Sequence, residues 1–321
     1  MNPNEFDKMT KRDLISPAPL KKGDTIAIVS PATTVRSDYV AGARNALESL
    51  GFNVRVMPHA LGPADGSYSS SEANRLNDFL EAYGDSNVRA ILCARGGYGC
   101  IHFIDAVSPE LLAADPKWVI GFSDVSAIHA MMHRAGVRSI HSSMAKHLAE
   151  FPLEDKVNTS LLKILTDNKC IEYHAAPDSK NIPGSSQGEL RGGNLAVLDG
   201  LTSTSFDLLV PNEGEDVILF IEDISEAIYR TERMIRRLAL NGALSRYKGI
   251  IVGQFTDSKP DKNFSSTADM LRQRLPQWGA SDIPIAFNFP IGHVDGNLPV
   301  VNGAKARLKV SPEGATLAFT Y

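Results

Sequence analysis

From Asp24 onward the chain alternates short runs of consecutive apolar residues with longer stretches in which apolar positions recur every three or four residues. Runs of the first kind suit strands buried on both faces, and stretches of the second kind suit helices with one face against a core. Thr25 to Val29, Asn53 to Met57, Arg89 to Cys93 and Trp118 to Gly121 read as strands. Tyr39 to Leu50, Glu72 to Tyr83 and Val125 to Ala135 read as helices; Gly51 stops the first, and Leu76, Phe79 and Leu80 share one face of the second. This alternation predicts a parallel sheet covered by helices, ending with a helix near Thr159 to Thr166.

The pattern then changes. Ile171 to Gln187 carries prolines, Asn, Ser and Gly with little periodicity and reads as a linker. After it come Glu189 to Gly193, a helix start at Asn194 to Leu201, a strong strand at Val217 to Ile221, a helix from Ile228 to Asn241, a strand at Gly249 to Val252 and a helix near Thr267 to Leu275. Two terminal strands, Ala306 to Val310 and Thr316 to Thr320, flank the turn Ser311-Pro312-Glu313-Gly314. The fold class is therefore α/β, with an N-terminal domain over residues 1–170, a linker over 171–187 and a smaller, β-rich C-terminal domain over 188–321.

Composition narrows the function classes. A net charge of −4 offers no general attraction to nucleic acid or to an anionic membrane. No apolar run is long enough to span a bilayer, and Met1 to Asp13 is polar with no apolar core of a secretory signal, so the expected home is the cytoplasm. The three cysteines, Cys93, Cys100 and Cys170, are odd in number and lack metal-ligand spacing, against both a disulfide framework and a zinc site. His129 and His133 form an i, i+4 pair, but with no third ligand in view no metal site is expected.

Ligands of parallel sheets bind at the carboxyl ends of the strands, where Ser30-Pro31, Arg95-Gly96-Gly97 and Ser123 all fall. A serine at a strand-to-helix corner, as in Gly121-Phe122-Ser123-Asp124, is either a helix N-cap or a nucleophile facing the free N–H groups of the helix start. The glycines of Arg95-Gly96-Gly97-Tyr98-Gly99 serve either a tight turn or close approach of backbone N–H groups to a ligand; their spacing fits no nucleotide-binding pattern. Glu222-Asp223 closes an apolar strand, so Glu222 is either a cap or a functional acid; side by side in an extended chain, only one of the two acids enters a site. Gly292-His293 lies in a loop, where a histidine is commonly a surface group. The arginines of the helix from Ile228, namely Arg230, Arg233, Arg236 and Arg237, read as a solvated basic face from which Arg230 could reach a carboxylate.

In order along the chain stand Ser30-Pro31, Arg95-Gly96-Gly97-Tyr98-Gly99, Gly121-Phe122-Ser123-Asp124, Gly192-Gly193-Asn194-Leu195, Ile221-Glu222-Asp223 and Gly292-His293. Together they resemble the LD-carboxypeptidase family of serine peptidases, from about Lys21 to the C-terminus. The resemblance implies a Rossmann-like N-terminal domain beside a swivelling β-rich C-terminal one. It makes Ser123 the nucleophile, His293 the general base and Glu222 the acid that orients it. The oxyanion would sit between the Asp124 N–H and an N–H of Gly96 or Gly97, with Arg95, Tyr98 and Arg230 as substrate-binding candidates and no cofactor. The implied substrate is murein tetrapeptide, cut before its terminal D-Ala in peptidoglycan recycling, and the family's habit admits a homodimer.

His141-Ser142-Ser143-Met144, Leu201-Thr202-Ser203-Thr204 and Val294-Asp295-Gly296-Asn297 depart from the family pattern, which leaves the substrate open. A microcin-immunity peptidase, cleaving an acyl link to a nucleotide-like group, shares the triad but calls for an aromatic platform; Trp118 reads as strand core. A non-catalytic small-ligand binding protein is the alternative from a different class.

Overall fold

A computed structural model describes residues 13–167 and 170–321; the polar stretch read at residues 1–12 lies outside them. The described residues form two compact units. One comprises residues 14–167 and 295–301, and the other Asp13 with residues 170–294 and 302–321.

The first unit is built on β1 (Thr25–Val29), β2 (Asn53–Val56), β3 (Val88–Cys93), β4 (Trp118–Gly121) and β5 (Ser139–His141). Together with β11 (Val300–Asn302) these make one sheet in the order β11-β5-β4-β3-β1-β2. The pairs β1/β2, β1/β3, β3/β4 and β4/β5 are all parallel, as the alternation of strand and helix predicted. Helices α1 (Ser37–Ser49), α2 (Glu72–Gly84), α3 (Pro109–Ala114), α4 (Ser126–Arg134), α5 (Ala145–Glu150) and α6 (Lys156–Asp167) connect and cover it. Ile26 to Val29 of β1 and Ile91 to Cys93 of β3 are buried throughout, which is why these strands read as unbroken apolar runs.

The second unit is a mixed seven-stranded sheet in the order β10-β9-β8-β7-β12-β13-β6. Its strands are β6 (Ile171–Ala175), β7 (Gly184–Asn194), β8 (Val217–Ile224), β9 (Gly249–Thr256), β10 (Ile285–Ala286), β12 (Ala304–Ser311) and β13 (Gly314–Thr320), accompanied by helices α7 (Leu195–Asp199), α8 (Ile228–Leu240) and α9 (Thr267–Gln277). The linker expected at 171–187 is corrected: its start is β6 and its end is the beginning of β7. Ile171 and Tyr173 are buried while Glu172 and His174 face solvent, so a period-two strand hides in the segment, paired antiparallel to β13. Pro177 and Pro183 flag only the crossing between the two strands. Among the described residues no helix is long and apolar enough to cross a membrane.

Candidate active site

The corner after β4 places Ser123 in an unusual backbone state. Its φ is +63°, in a region that costs a non-glycine residue on the order of 1–3 kcal/mol and is tolerated where the surroundings impose it. A helix N-cap has extended dihedrals. Helix α4 begins three residues later with Val125 at its N-cap position and no side-chain cap, so Ser123 is not the cap of that helix. The residues Ser123–Val125 form a short 3-10 turn whose first member is partly exposed and whose second, Asp124, is buried.

Two neighbours fix this corner. The carbonyl of Gly121, the last residue of β4, accepts the N–H of Ser142 at 3.0 Å and His129 Nε2 at 2.8 Å. Because a carbonyl can only accept, the proton of His129 is on Nε2, and Nδ1 takes the Ser139 hydroxyl at 2.9 Å. Burial of the ring pulls the His129 pKa down to about 4, so it is a neutral tether with both nitrogens engaged within the fold. The second neighbour is the glycine turn after β3. A Cβ on Gly96 would lie 3.0 Å from Ser123 Cβ and 3.2 Å from its Oγ, so only glycine brings this backbone against the serine hydroxyl without displacing it.

Gly97 is exposed, with φ at +110°. Arg95 is also exposed, with Nη1 donating to the Thr34 carbonyl at 2.9 Å. Tyr98 is 55% exposed and packs edge-on to His102 at a centroid distance of 5.1 Å. Thr33, which the sequence reading passed over, holds the turn: its Oγ1 donates to the Gly96 carbonyl at 2.6 Å. The available signal was its place just after Ser30-Pro31 at the end of β1.

In the second unit, Glu222 lies in β8 and is fully buried. Its Oε2 meets His293 Nδ1 at 2.7 Å, a charge-assisted length, and His293 keeps 15% of its side chain exposed. The register between β8 and β9 shifts between Ile221 and Asp223, so β9 carries an extra residue opposite Glu222. The loop ahead of His293 is anchored on that bulge: Gln254 N–H donates to Ile291 O at 2.8 Å, and its side chain donates to Asn288 Oδ1 and Phe289 O. Gly292 has φ +128°, and a Cβ there would sit 2.9 Å from Glu222 Cβ and 3.1 Å from its Oε2. Glycine before His293 is therefore what lets the imidazole close on the buried acid.

Asp223 turns the other way, as neighbours in a strand must. Its carboxylate accepts the N–H of Ala196 at 2.9 Å and the Asn194 side-chain amide at 3.0 Å, holding the start of α7. Burial pushes its pKa up to about 6. Helix α8 has Ala227 at its N-cap without a side-chain cap, so Glu222 is not the cap that one reading of the sequence allowed. Arg230 is exposed on α8, with Nε donating to the Tyr229 hydroxyl at 3.3 Å and Nη1 3.8 Å from Glu226. Ser123, Asp124, Gly96, Gly97, Arg95 and Tyr98 thus belong to one unit, and Glu222, His293 and Arg230 to the other.

A family model described as the LD-carboxypeptidase N-terminal domain matches residues 26–142, and the LD-carboxypeptidase C-terminal domain matches 187–308. The chain is 31% identical over 307 residues to a probable murein peptide carboxypeptidase of Bacillus subtilis, covering 94% of this chain and 93% of that one. It is 28% identical over 281 residues to a murein tetrapeptide carboxypeptidase of Pseudomonas aeruginosa, covering 84% and 87%. Among solved structures, an MccF-like protein from Bacillus anthracis superposes with a TM-score of 0.82 at 25% identity, covering 96% of this chain and all (100%) of the other. The muramoyltetrapeptide carboxypeptidase from Oxalobacter formigenes gives 0.78 at 23%, covering 92% and 99%, a likeness of fold. With both family domains matched in order, the chain belongs to the LD-carboxypeptidase family and is a hydrolase of the serine carboxypeptidase class.

Proposed function

We propose that this chain removes the terminal D-Ala from murein tetrapeptide, as a cytoplasmic step of peptidoglycan recycling, through a triad of Ser123, His293 and Glu222. The observation that carries the reading is the buried Glu222 carboxylate held 2.7 Å from Nδ1 of a partly exposed histidine. With Nδ1 committed to Glu222, Nε2 is the nitrogen that takes the Ser123 proton as Oγ attacks the amide carbonyl. Glu222 fixes the tautomer and stabilises the imidazolium. The carbonyl oxygen, now an oxyanion, takes hydrogen bonds from the Asp124 N–H and from Gly96 or Gly97; one such donor is worth about 3 kcal/mol. Collapse breaks the C–N bond, His293 returns the proton to the departing amine of D-Ala, and the tripeptide acyl group stays on Ser123. Water, deprotonated by His293, then attacks the ester; the acyl C–Oγ bond breaks, His293 returns the proton to Ser123 Oγ, and the tripeptide leaves with a new carboxylate.

The peptide substrate is favoured over an aminoacyl nucleotide by the tryptophans. Trp118 is buried in β4 and presents no face to a base, and a base on Trp278 would compete with the guanidinium groups of Arg236 and Arg274, each 5.2 Å from its ring centroid. The test is release of D-Ala from L-Ala-γ-D-Glu-meso-diaminopimelate-D-Ala, run beside an aminoacyl sulfamoyl nucleotide. D-Ala release with the nucleotide left intact is the expected result. Turnover of the nucleotide alone would replace the peptide reading with the microcin-immunity one.

A further inference from the structure

The reaction above uses the backbone N–H of Asp124 and leaves its side chain without a task. That side chain is nonetheless withdrawn from water, with the residue 2% exposed, and a carboxylate in such a place needs a hydrogen-bonding partner. Its Oδ2 accepts the backbone N–H of Cys100, itself fully buried, at 2.8 Å. Cys100 directly follows the glycine turn of residues 95–99, and Gly96 in that turn lies against the Ser123 hydroxyl. The bond therefore joins the residue after the nucleophile to the loop that supplies the second oxyanion donor.

The same turn is tied at two carbonyls. Thr33 Oγ1 donates to Gly96 O at 2.6 Å, and Arg75 Nη1 donates to Gly99 O at 2.8 Å. Those ties fix it to the segment after β1 and to α2, and neither involves the corner that carries Ser123. Two N–H groups serve one oxyanion only when both lie about 2.7–3.1 Å from it, so their separation has to be set before substrate arrives. Gly97 and Gly99, with φ of +110° and +133°, give the turn a backbone that other residues rarely adopt, and it needs anchoring to keep one shape.

We propose that the Asp124 carboxylate is a positioning residue for the oxyanion site: by holding the Cys100 N–H it sets the distance between the Asp124 N–H and the N–H groups of Gly96 and Gly97. The proposal rests on Ser123 being the nucleophile. Removing the acceptor orphans a buried N–H, and the turn moves to satisfy it. Binding of the ground-state peptide does not depend on that spacing, whereas stabilisation of the tetrahedral intermediate does.

The experiment is kcat and KM for D-Ala release by wild type, Ser123→Ala, Asp124→Ala and Asp124→Asn, each verified as folded by its melting transition. Asp124→Ala is expected to lower kcat by about 100-fold, as loss of one oxyanion donor does, while KM stays within about threefold. Asp124→Asn, whose side-chain carbonyl still accepts from Cys100, is expected to recover to within about tenfold of wild type. Asp124→Ala at full kcat, or Asp124→Asn as slow as Asp124→Ala, would overturn the proposal. Should Asp124→Ala not fold, Asp124→Ser, whose shorter side chain falls short of Cys100, takes its place with the same two readings. An active Ser123→Ala overturns the nucleophile assignment and this proposal with it. A wild type that releases no D-Ala overturns the peptide substrate, and the same variants are then read on the aminoacyl sulfamoyl nucleotide, where the same outcomes decide the role of Asp124. An inactive Ser123→Ala beside a fully active Asp124→Ala overturns the role of Asp124 alone.

Discussion

Replacing Glu222 by Gln changes one buried group and separates catalysis from stability. In the wild type the carboxylate is fully buried, with Oε2 2.7 Å from His293 Nδ1. In the proposed triad, His293 on taking the Ser123 proton carries a positive charge centred about 4 Å from the negative one, an attraction of about 4 kcal/mol at an effective dielectric of about 20. A neutral amide forfeits that, which is about a thousandfold in rate. An amide that turns its NH2 toward Nδ1 also selects the wrong tautomer, and the corresponding change in a serine protease costs about 10⁴ in kcat. Glu222→Gln should therefore lose about three to four powers of ten in kcat with KM changed by less than about threefold. Stability should move the other way. Glu222 Oε1 is buried without a hydrogen bond, so removing the charge relieves a desolvation cost, and the melting temperature should hold or rise. Steady-state D-Ala release and calorimetry on the same preparations make the measurement. A kcat within tenfold of wild type would remove Glu222 from the machinery.

Gly96→Ala places a methyl 3.0 Å from Ser123 Cβ and 3.2 Å from its Oγ, and should cut kcat by roughly 10- to 100-fold in a protein that melts like the wild type; an unchanged kcat would mean that the turn does not border the reacting hydroxyl. Tyr98→Ala removes a ring that is 55% exposed beside the glycine turn and should raise KM about tenfold with little change in kcat, whereas an unaltered KM would take Tyr98 out of substrate binding. His129, at about 4 against an ordinary 6.5, is held neutral by burial, so the unfolded chain binds a proton that the folded one lacks. Its contribution to stability is present above about pH 6.5 and lost as pH falls toward 4; His129→Gln should flatten that limb in hydrogen exchange at β4 and α4, and an unchanged limb would assign it elsewhere. Asp223 runs in the opposite sense: raised from 3.8 to about 6, its contribution is present below about pH 3.8 and lost as pH rises through 6, so Asp223→Asn should remove a decline in protection around α7 over that range, and a persistent decline would contradict it.

What could be read without coordinates follows from how each element earns its place. Strands β1, β3, β4 and β8 are buried on both faces and announce themselves as apolar runs. Strand β5 is only Ser139–His141, with two polar residues of three, and is a strand because β4 and β11 flank it. Strand β6 was hidden by the prolines that follow it. At the site, Ser123 and the glycine turn were visible as strand ends, whereas the choice of Glu222 over Asp223 came from the family resemblance and not from the local pattern. In the structure that choice rests on the β8–β9 bulge and on a loop that brings His293 to an acid 71 residues away, a long-range pairing with no local signature. The Asp124–Cys100 bond was invisible for a similar reason, since it depends on the positive φ of Gly97 and Gly99.

The central claim is that Ser123 is the nucleophile of a carboxypeptidase, and the most direct measurement is D-Ala release from L-Ala-γ-D-Glu-meso-diaminopimelate-D-Ala by wild type and Ser123→Ala side by side. Release by wild type with none by the variant is the predicted result. Equal release by both would contradict the claim.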